Sequence, residues 1–473
     1  MAGIISYGGY VPFYRLSRKE IVRAWGSGMP KGEKAVANFD EDSITMAVAA
    51  AQNCIKGINK EEIEGLYFAS TTFPYAEKQS AAIVAEALGL KAQVRTIDIS
   101  NSLRGGSLAL ITALDAVKAG SISKALVISA DTRMGYPKGA NENTYGDGAA
   151  ALLIGNTDVA VEITAASSVT ADILETWRSF GEVFSRQSEG RFSREVGYTK
   201  IFPEAMIQLL KDQALATTDI AKLVYNAPDA GQHRVVAKKT GFDLKTQVQD
   251  PLLANIGNTG SAMALMILVS ALEKAQAGEK MLLGSYGDGC DVLLLQVTEN
   301  IAALKDNRGI DFYLNSKKSM DNYMKYLLWR ELIQTEPAPR PPQPRVSPPS
   351  LERDRQWGMA LRGFKCTECN FIQFPAQMVC TNCGAVDKRE PYEFSGRVGK
   401  LTTFSHDNLA AAIDPPTTIC AVDFEGGGRI MCDMTDRDLE EVKAGMDVEM
   451  TFRKIQVVTG IHNYYWKCVP HRG

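Results

Sequence analysis

The feature that most constrains the fold is an internal echo. DISNSLRGGS (98–107) is followed by a helical run ending ALDAVKAG (113–120) and then by KALVIS (124–129). Later, a stretch from Asp250 through NIGNTGS (255–261) is followed by a helical run ending ALEKAQAG (271–278) and then by EKMLLGSYG (279–287). Each copy is a polar, glycine-rich turn, then an apolar helix, then a short apolar strand. Three consecutive elements matching in order point to duplication of one supersecondary unit, whereas chance likeness of two Ala-rich helices would account for only the middle element. Residues 107–119 carry helical spacing and end at Gly120, a natural C-cap. Alternation of such helices with buried strands over the first 300 residues predicts layered α/β architecture.

A chain of 473 residues exceeds what one core supports, so two or three domains are expected. The composition breaks at TEPAPRPPQPRVSPPS (335–350), with seven prolines in sixteen residues. Proline fixes φ and removes donors, so this run reads as an extended spacer, with a proline-rich recognition ligand as the rival reading. Before it, 301–334 reads as a terminal helix with an amphipathic stretch at 320–332. Beyond it, short β-like runs at 399–405, 418–424, 429–434, 447–452 and 464–469 are separated by turns at 425–428 and 444–445. About five such strands suit a small barrel of the OB kind.

Nine cysteines are present, and four of them form Cys366-x2-Cys369-x10-Cys380-x2-Cys383. Two such knuckles let four thiolates converge on one metal ion. The odd total and the clustering argue for a structural zinc site in a reducing compartment, not a disulfide framework. Iron remains an alternative occupant, and four thiolates leave no open position for substrate. A redox CxxC pair is the weaker reading, because no thioredoxin-like βαβ surrounds it. The net charge of −3 gives no pull toward nucleic acid or an anionic membrane, although six Arg and Lys residues cluster at 340–365. With no secretory signal and no apolar run long enough to span a bilayer, a cytoplasmic protein is expected.

Several separated motifs resemble hydroxymethylglutaryl-CoA synthases of the archaeal type: GIISYGGYVPFYRLSRKEIVRAWG (3–26), FDEDSITMAVAAA (39–51), FPYAEKQSAAIVAEALGL (73–90), ISADTRMGYP (128–137), GEVFSRQSEGRF (181–192) and NIGNTGSA (255–262). The resemblance covers about 1–330. LRGFKCTECNFIQFPAQMVCTNCG (361–384) resembles the zinc-ribbon and OB-fold domain that accompanies thiolase-like proteins. The resemblance implies a thiolase-type domain of two βαβαβαββ halves in five layers, 1–165 and 166–334. A Pro-rich linker (335–352), a zinc ribbon (353–390) and an OB-fold (391–473) follow. It also implies a homodimer, and coenzyme A as part of the substrate.

In that family a cysteine at a helix start takes up an acetyl group, a histidine and an asparagine bind the thioester oxygen, and a glutamate shuttles the proton. The resemblance puts the cysteine at Leu103, or at Ser102 if the match slips by one residue. It puts the glutamate at Thr71, the histidine at Asn226 and the asparagine at Asn258. Leucine forms no thioester, so classical synthase activity is not expected. Asn226 and Asn258 remain as donors to a thioester carbonyl. By analogy with cysteine-less thiolase-like aldolases, Tyr286 is the first candidate base, with Asp288, Asp229 and His233 behind it; a packed aromatic at a strand end is the competing role for Tyr286. The expectation is an acyl-CoA lyase or aldolase that stabilises an enolate without a covalent intermediate. The alternatives are a non-catalytic acyl-CoA-binding scaffold that partners a cysteine-bearing thiolase and, last, a nucleic-acid binder.

Overall fold

A computed structural model describes residues 1–336 and 347–472. The chain divides into two compact units. The first comprises Met1–Ala37, Asp42–Ala82 and Lys91–Tyr323; the second comprises Asn38–Glu41, Ile83–Leu90 and Met324–Gly473. Among the described residues, no helix is long and apolar enough to cross a membrane.

The first unit is built on nine strands: β1 (Gly3–Tyr10), β2 (Gly65–Ala69), β3 (Arg95–Ile99), β4 (Lys124–Asp131), β5 (Gly148–Gly155), β6 (Val161–Thr170), β7 (Lys222–Tyr225), β8 (Lys280–Tyr286) and β9 (Gly289–Val297). Their order is β7-β8-β9-β6-β1-β5-β4-β2-β3. Outward from the central β1–β6 pair, both sides run antiparallel, antiparallel, parallel: β1-β5-β4-β2 on one, β6-β9-β8-β7 on the other. The sheet therefore carries the duplication in its strand order. Val248 even pairs outside β7 at Leu223, where β3 lies in the first half.

Helix α1 (Ser43–Cys54) covers β1, β5 and β4; α2 (Gly105–Lys118) and α5 (Met263–Leu272) lie against each other, α2 on the strands β2 to β5 and α5 on strands of both halves; α3 (Thr199–Asp212) covers β9 and β6 and packs on α4 (Ala230–Thr240). Every residue of α5 is buried, as an apolar helix between two layers requires. This is the expected thiolase-type α/β arrangement. The predicted helix at 107–119 is α2, which ends at Lys118, with Ala119 as its C-cap and Gly120 following at φ +70°. The predicted boundary at 165/166 falls inside β6, because the bulge-bearing β6 runs unbroken from the central pair to the site.

In the second unit, β10 (Val398–Asp407), β11 (Thr417–Phe424), β12 (Arg429–Met434), β13 (Asp447–Val458) and β14 (Ile461–Pro470) close a five-stranded barrel in the order β10-β11-β12-β14-β13. All five predicted strands are present, the last two lengthened by the turn at Gly460. Strands Arg362–Cys366, Ile372–Gln373 and Arg389–Glu393 form the small sheet carrying the four cysteines, so the expected border at 390/391 cuts a strand. Most of the predicted spacer, 337–346, lies outside the described residues. Its end does not remain extended: Pro348–Gly358 is helical, with prolines in the first turn where no N–H donor is needed. The single helix expected within 301–334 is instead the short helices Ile310–Asn315 and Tyr323–Trp329, parted by the strand Lys318–Met320, which pairs with Tyr14–Ser17. Strand pairing outweighs helical spacing there.

Candidate active site

The two glycine-rich turns of the duplication meet at one cavity. At the first turn, Arg104 caps α2 and donates to Asp291 of β9 at 3.2 Å. Asp291 is fully buried and also accepts from the hydroxyls of Ser107 at 2.6 Å and Ser168 at 2.7 Å. The start of α2 is thus pinned to the other half's strand, which holds Leu103 in the cavity wall. Gly106 belongs there for a steric reason: a Cβ would stand 2.8 Å from the Ser261 carbonyl oxygen of the second turn.

At that second turn the Asn258 side-chain oxygen accepts from Gly260 N–H at 3.0 Å, and its Nδ2 donates to Ala227 O at 3.4 Å. Asn226, just past β7, is clamped harder. Its Oδ1 accepts from Tyr286 N–H at 2.8 Å and its Nδ2 donates to Tyr286 O at 3.0 Å. This pairing with the N–H and C=O of one residue fixes the amide orientation and leaves one Nδ2 hydrogen for a ligand.

Tyr286 ends β8, and its phenol donates to Glu175 Oε1 at 2.6 Å. Burial, then the bond to Glu175, pushes its pKa far above the ordinary tyrosine value. Burial likewise raises the Glu175 carboxyl, with the bond from Tyr286 opposing it. The pair therefore shares one proton in a partly desolvated site. Tyr198 packs edge-on to the Tyr286 ring, with centroids 5.1 Å apart. Gly197 is the cradle of the pair: a Cβ there would lie 1.7 Å from Glu175 Oε1 and 2.4 Å from Tyr286 Oη.

The cavity measures about 80 Å³, and Leu103, Arg133, Glu175, Asn226, Asn258 and Tyr286 all line it. No cysteine does. Cys290, on the strand after Tyr286, is buried, and burial pushes its thiol up to about 12; Cys54 is raised to about 12 for the same reason. Neither is a thiolate at neutral pH.

Of the residues singled out in the sequence, Leu103, Asn226, Asn258, Tyr286 and Asp288 come together here. Thr71 is not among the lining residues. Its hydroxyl donates to Asp131 Oδ2 at 3.0 Å and its N–H to Oδ1 at 2.7 Å. Asp131 also collects Ser70, Thr72 and the Ser261 N–H, tying the loop after β2 to the second turn. His233 is also outside the cavity, buried and stacked on Tyr225 with centroids 4.4 Å apart; burial lowers its pKa to about 4. Asp229 caps α4 through Gln232 N–H at 2.9 Å. Glu175 and Arg133 are the site residues that sequence reasoning missed.

The cysteine cluster is compact. All four Sγ atoms lie within 4.8 Å of one another, with Cys366–Cys383 at 3.8 Å and Cys369–Cys380 at 3.6 Å. Four sulfurs about 2.3 Å from a tetrahedral ion stand about 3.8 Å apart, so the donor set fits such an ion. Asn370 (φ +61°) and Gly384 (φ +75°) turn the two knuckles, each donating its N–H back to the first cysteine's carbonyl.

Residues 97–172 match the family model described as 3-oxoacyl-[acyl-carrier-protein (ACP)] synthase III, and 392–453 match that of the ChsH2 C-terminal OB-fold domain. The chain is 33% identical over 345 residues to the hydroxymethylglutaryl-CoA synthase of Methanocaldococcus jannaschii, covering 71% of this chain and all of the relative. It is 35% identical over 312 residues to that of Archaeoglobus fulgidus, covering 64% and 90%. Among solved structures, an HMG-CoA synthase complexed with CoA superposes with a TM-score of 0.63 at 21% identity, over 69% of this chain and 89% of the other. MvaS in complex with 3-hydroxy-3-methylglutaryl coenzyme A gives 0.63 at 19%, over 83% and 99%.

Proposed function

The chain belongs to the hydroxymethylglutaryl-CoA synthase family, and we propose that it makes or breaks a carbon–carbon bond of an acyl-CoA by stabilising an enolate, with no acyl-enzyme intermediate. The observation that carries this reading is the cavity wall. Leu103 stands at the entrance of α2, no cysteine lines the cavity, and the nearby Cys290 thiol is held protonated. Aldol chemistry needs no sulfur nucleophile. It needs donors for an oxyanion and one group that moves a proton.

Asn226 and Asn258 each have an Nδ2 hydrogen to spare for the thioester oxygen, and the backbone bonds that clamp them leave little to reorganise. In the cleavage direction, the Tyr286 oxygen takes the proton of the β-hydroxyl as its own proton passes to Glu175. The Cα–Cβ bond breaks and its electron pair becomes the enolate, while the β-carbon leaves as an aldehyde or ketone. The proton returns from Glu175 through Tyr286 to Cα. Tyr286 is too weak an acid to act as a resting phenolate, so the pair, not the tyrosine alone, serves as the base.

The test is turnover of a panel of 3-hydroxyacyl-CoA thioesters by the purified full chain, following carbonyl release, together with intact-protein mass spectrometry. Carbonyl release without a covalent adduct is expected; an acyl group trapped on the protein overturns the scheme. Turnover seen only after adding a cysteine-bearing thiolase assigns the scaffold role instead. The Cys366, Cys369, Cys380 and Cys383 cluster is proposed to hold one structural Zn²⁺ per chain, read by metal analysis.

A further inference from the structure

We infer that Arg133 is a carboxylate receptor, and that the acyl group handled in this cavity carries an anionic end; the inference rests on the acyl-CoA reading above. Arg133 follows β4, is 6% exposed and lines the cavity beside Asn258 and Gly260. Its Nη2 donates to Tyr145 Oη at 2.9 Å, and its guanidinium carbon sits 4.1 Å from the Tyr145 ring centroid. Among the described residues, no other hydrogen bond engages its guanidinium and no carboxylate oxygen lies within 4.0 Å of its nitrogens. The other buried arginines are engaged: Arg104 by Asp291 at 3.2 Å, Arg437 by Asp414 at 3.4 Å and Arg453 by Glu41 at 2.8 Å, while Arg15 and Arg18 each donate to three backbone carbonyls.

A desolvated guanidinium without a counter-charge is costly, and a tyrosine ring offsets only part of that cost. The two other charged side chains lining the cavity do not relieve it. Glu175 is committed to Tyr286, and Asp288 is exposed to solvent. Gly260, at φ +63°, makes room for the arginine, because a Cβ there would stand 2.6 Å from Arg133 Cδ. What is left is a planar fork of donors facing a space of about 80 Å³ that also holds Leu103 and Tyr286. That fork matches a carboxylate bidentately, and the space suits a short acyl chain, not a nucleotide end.

The rival occupant of the fork is the enolate oxygen itself, which every thioester substrate shares. Calorimetric titration of the full chain with glutaryl-CoA and valeryl-CoA, and with succinyl-CoA and butyryl-CoA, separates the two. The members of each pair have equal chain length and differ in the terminal carboxylate. The carboxylated member of at least one pair is expected to bind at least about tenfold more tightly. Arg133→Met should erase that preference, and Arg133→Lys should retain part of it. Equal affinity of both members for the unmodified chain overturns the inference and leaves the acyl-CoA reading standing, and so does an equal loss for both in Arg133→Met. Failure of every thioester to bind removes both.

Discussion

At the residue scale, the site works through side chains whose protonation is set by burial. Tyr286 and Glu175 share a proton at 2.6 Å, so removing either end breaks the relay. Tyr286→Phe and Glu175→Gln are each expected to lower carbonyl release by about 10²–10⁴-fold. Melting temperatures should stay close to that of the unmodified chain, which separates lost chemistry from lost fold. His233 makes a different prediction. Its imidazole is held neutral by burial, lowered from 6.5 to about 4. A depressed pKa contributes stability that is fully present above pH 6.5 and is lost as pH falls through about 4. Chemical denaturation at pH 7 and pH 4 should therefore show a loss of up to about 3 kcal/mol from this residue. His233→Phe, which keeps the stack on Tyr225, should reduce the pH dependence by about that amount.

At the element scale, legibility followed periodicity. The helix at 107–119 and the barrel strands were readable because glycine turns and alternating apolar residues mark them locally. The four cysteines were readable because two knuckles at fixed spacing admit few other uses. The segment 301–334 was misread because Lys318–Met320 takes its conformation from pairing with Tyr14–Ser17, a partner about three hundred residues away that no local pattern announces. Glu175 was missed for a related reason: it lies in the irregular stretch between β6 and α3 and gains meaning only where the chain brings it to Tyr286. Arg133 stands inside the motif ISADTRMGYP (128–137), yet its lack of a counter-charge exists only in three dimensions. The cysteine knuckles carry their own prediction. Cys380→Ser should abolish bound metal and raise amide exchange across 362–393, while β1 to β9 keep their protection.

At the scale of the whole molecule, distant parts of the chain meet in ionic knots as well as in cores. Within the second unit, Arg453 is almost fully buried and reaches Asp40 at 3.2 Å, Glu41 at 2.8 Å and Asp436 at 2.5 Å. Lys467 reaches Asp40 at 2.9 Å, and Asn38 Nδ2 donates to Asp436 at 2.8 Å. The Lys467 and Arg453 charges hold the Asp40 carboxyl below the usual range although burial opposes them. Removing one member strands the others: Arg453→Met is expected to cost about 3–5 kcal/mol, measured by denaturant unfolding.

The same knot sets an order of events during synthesis. Asp40 and Arg453 are 413 positions apart, so the aspartate leaves the ribosome long before its arginine exists. Until Arg453 and Lys467 have been made, the Asp40 and Glu41 carboxylates stay in water without the cations that later receive them. A nascent chain arrested before that arginine therefore leaves the segment Asn38–Glu41 unfinished, however complete its nine-stranded sheet.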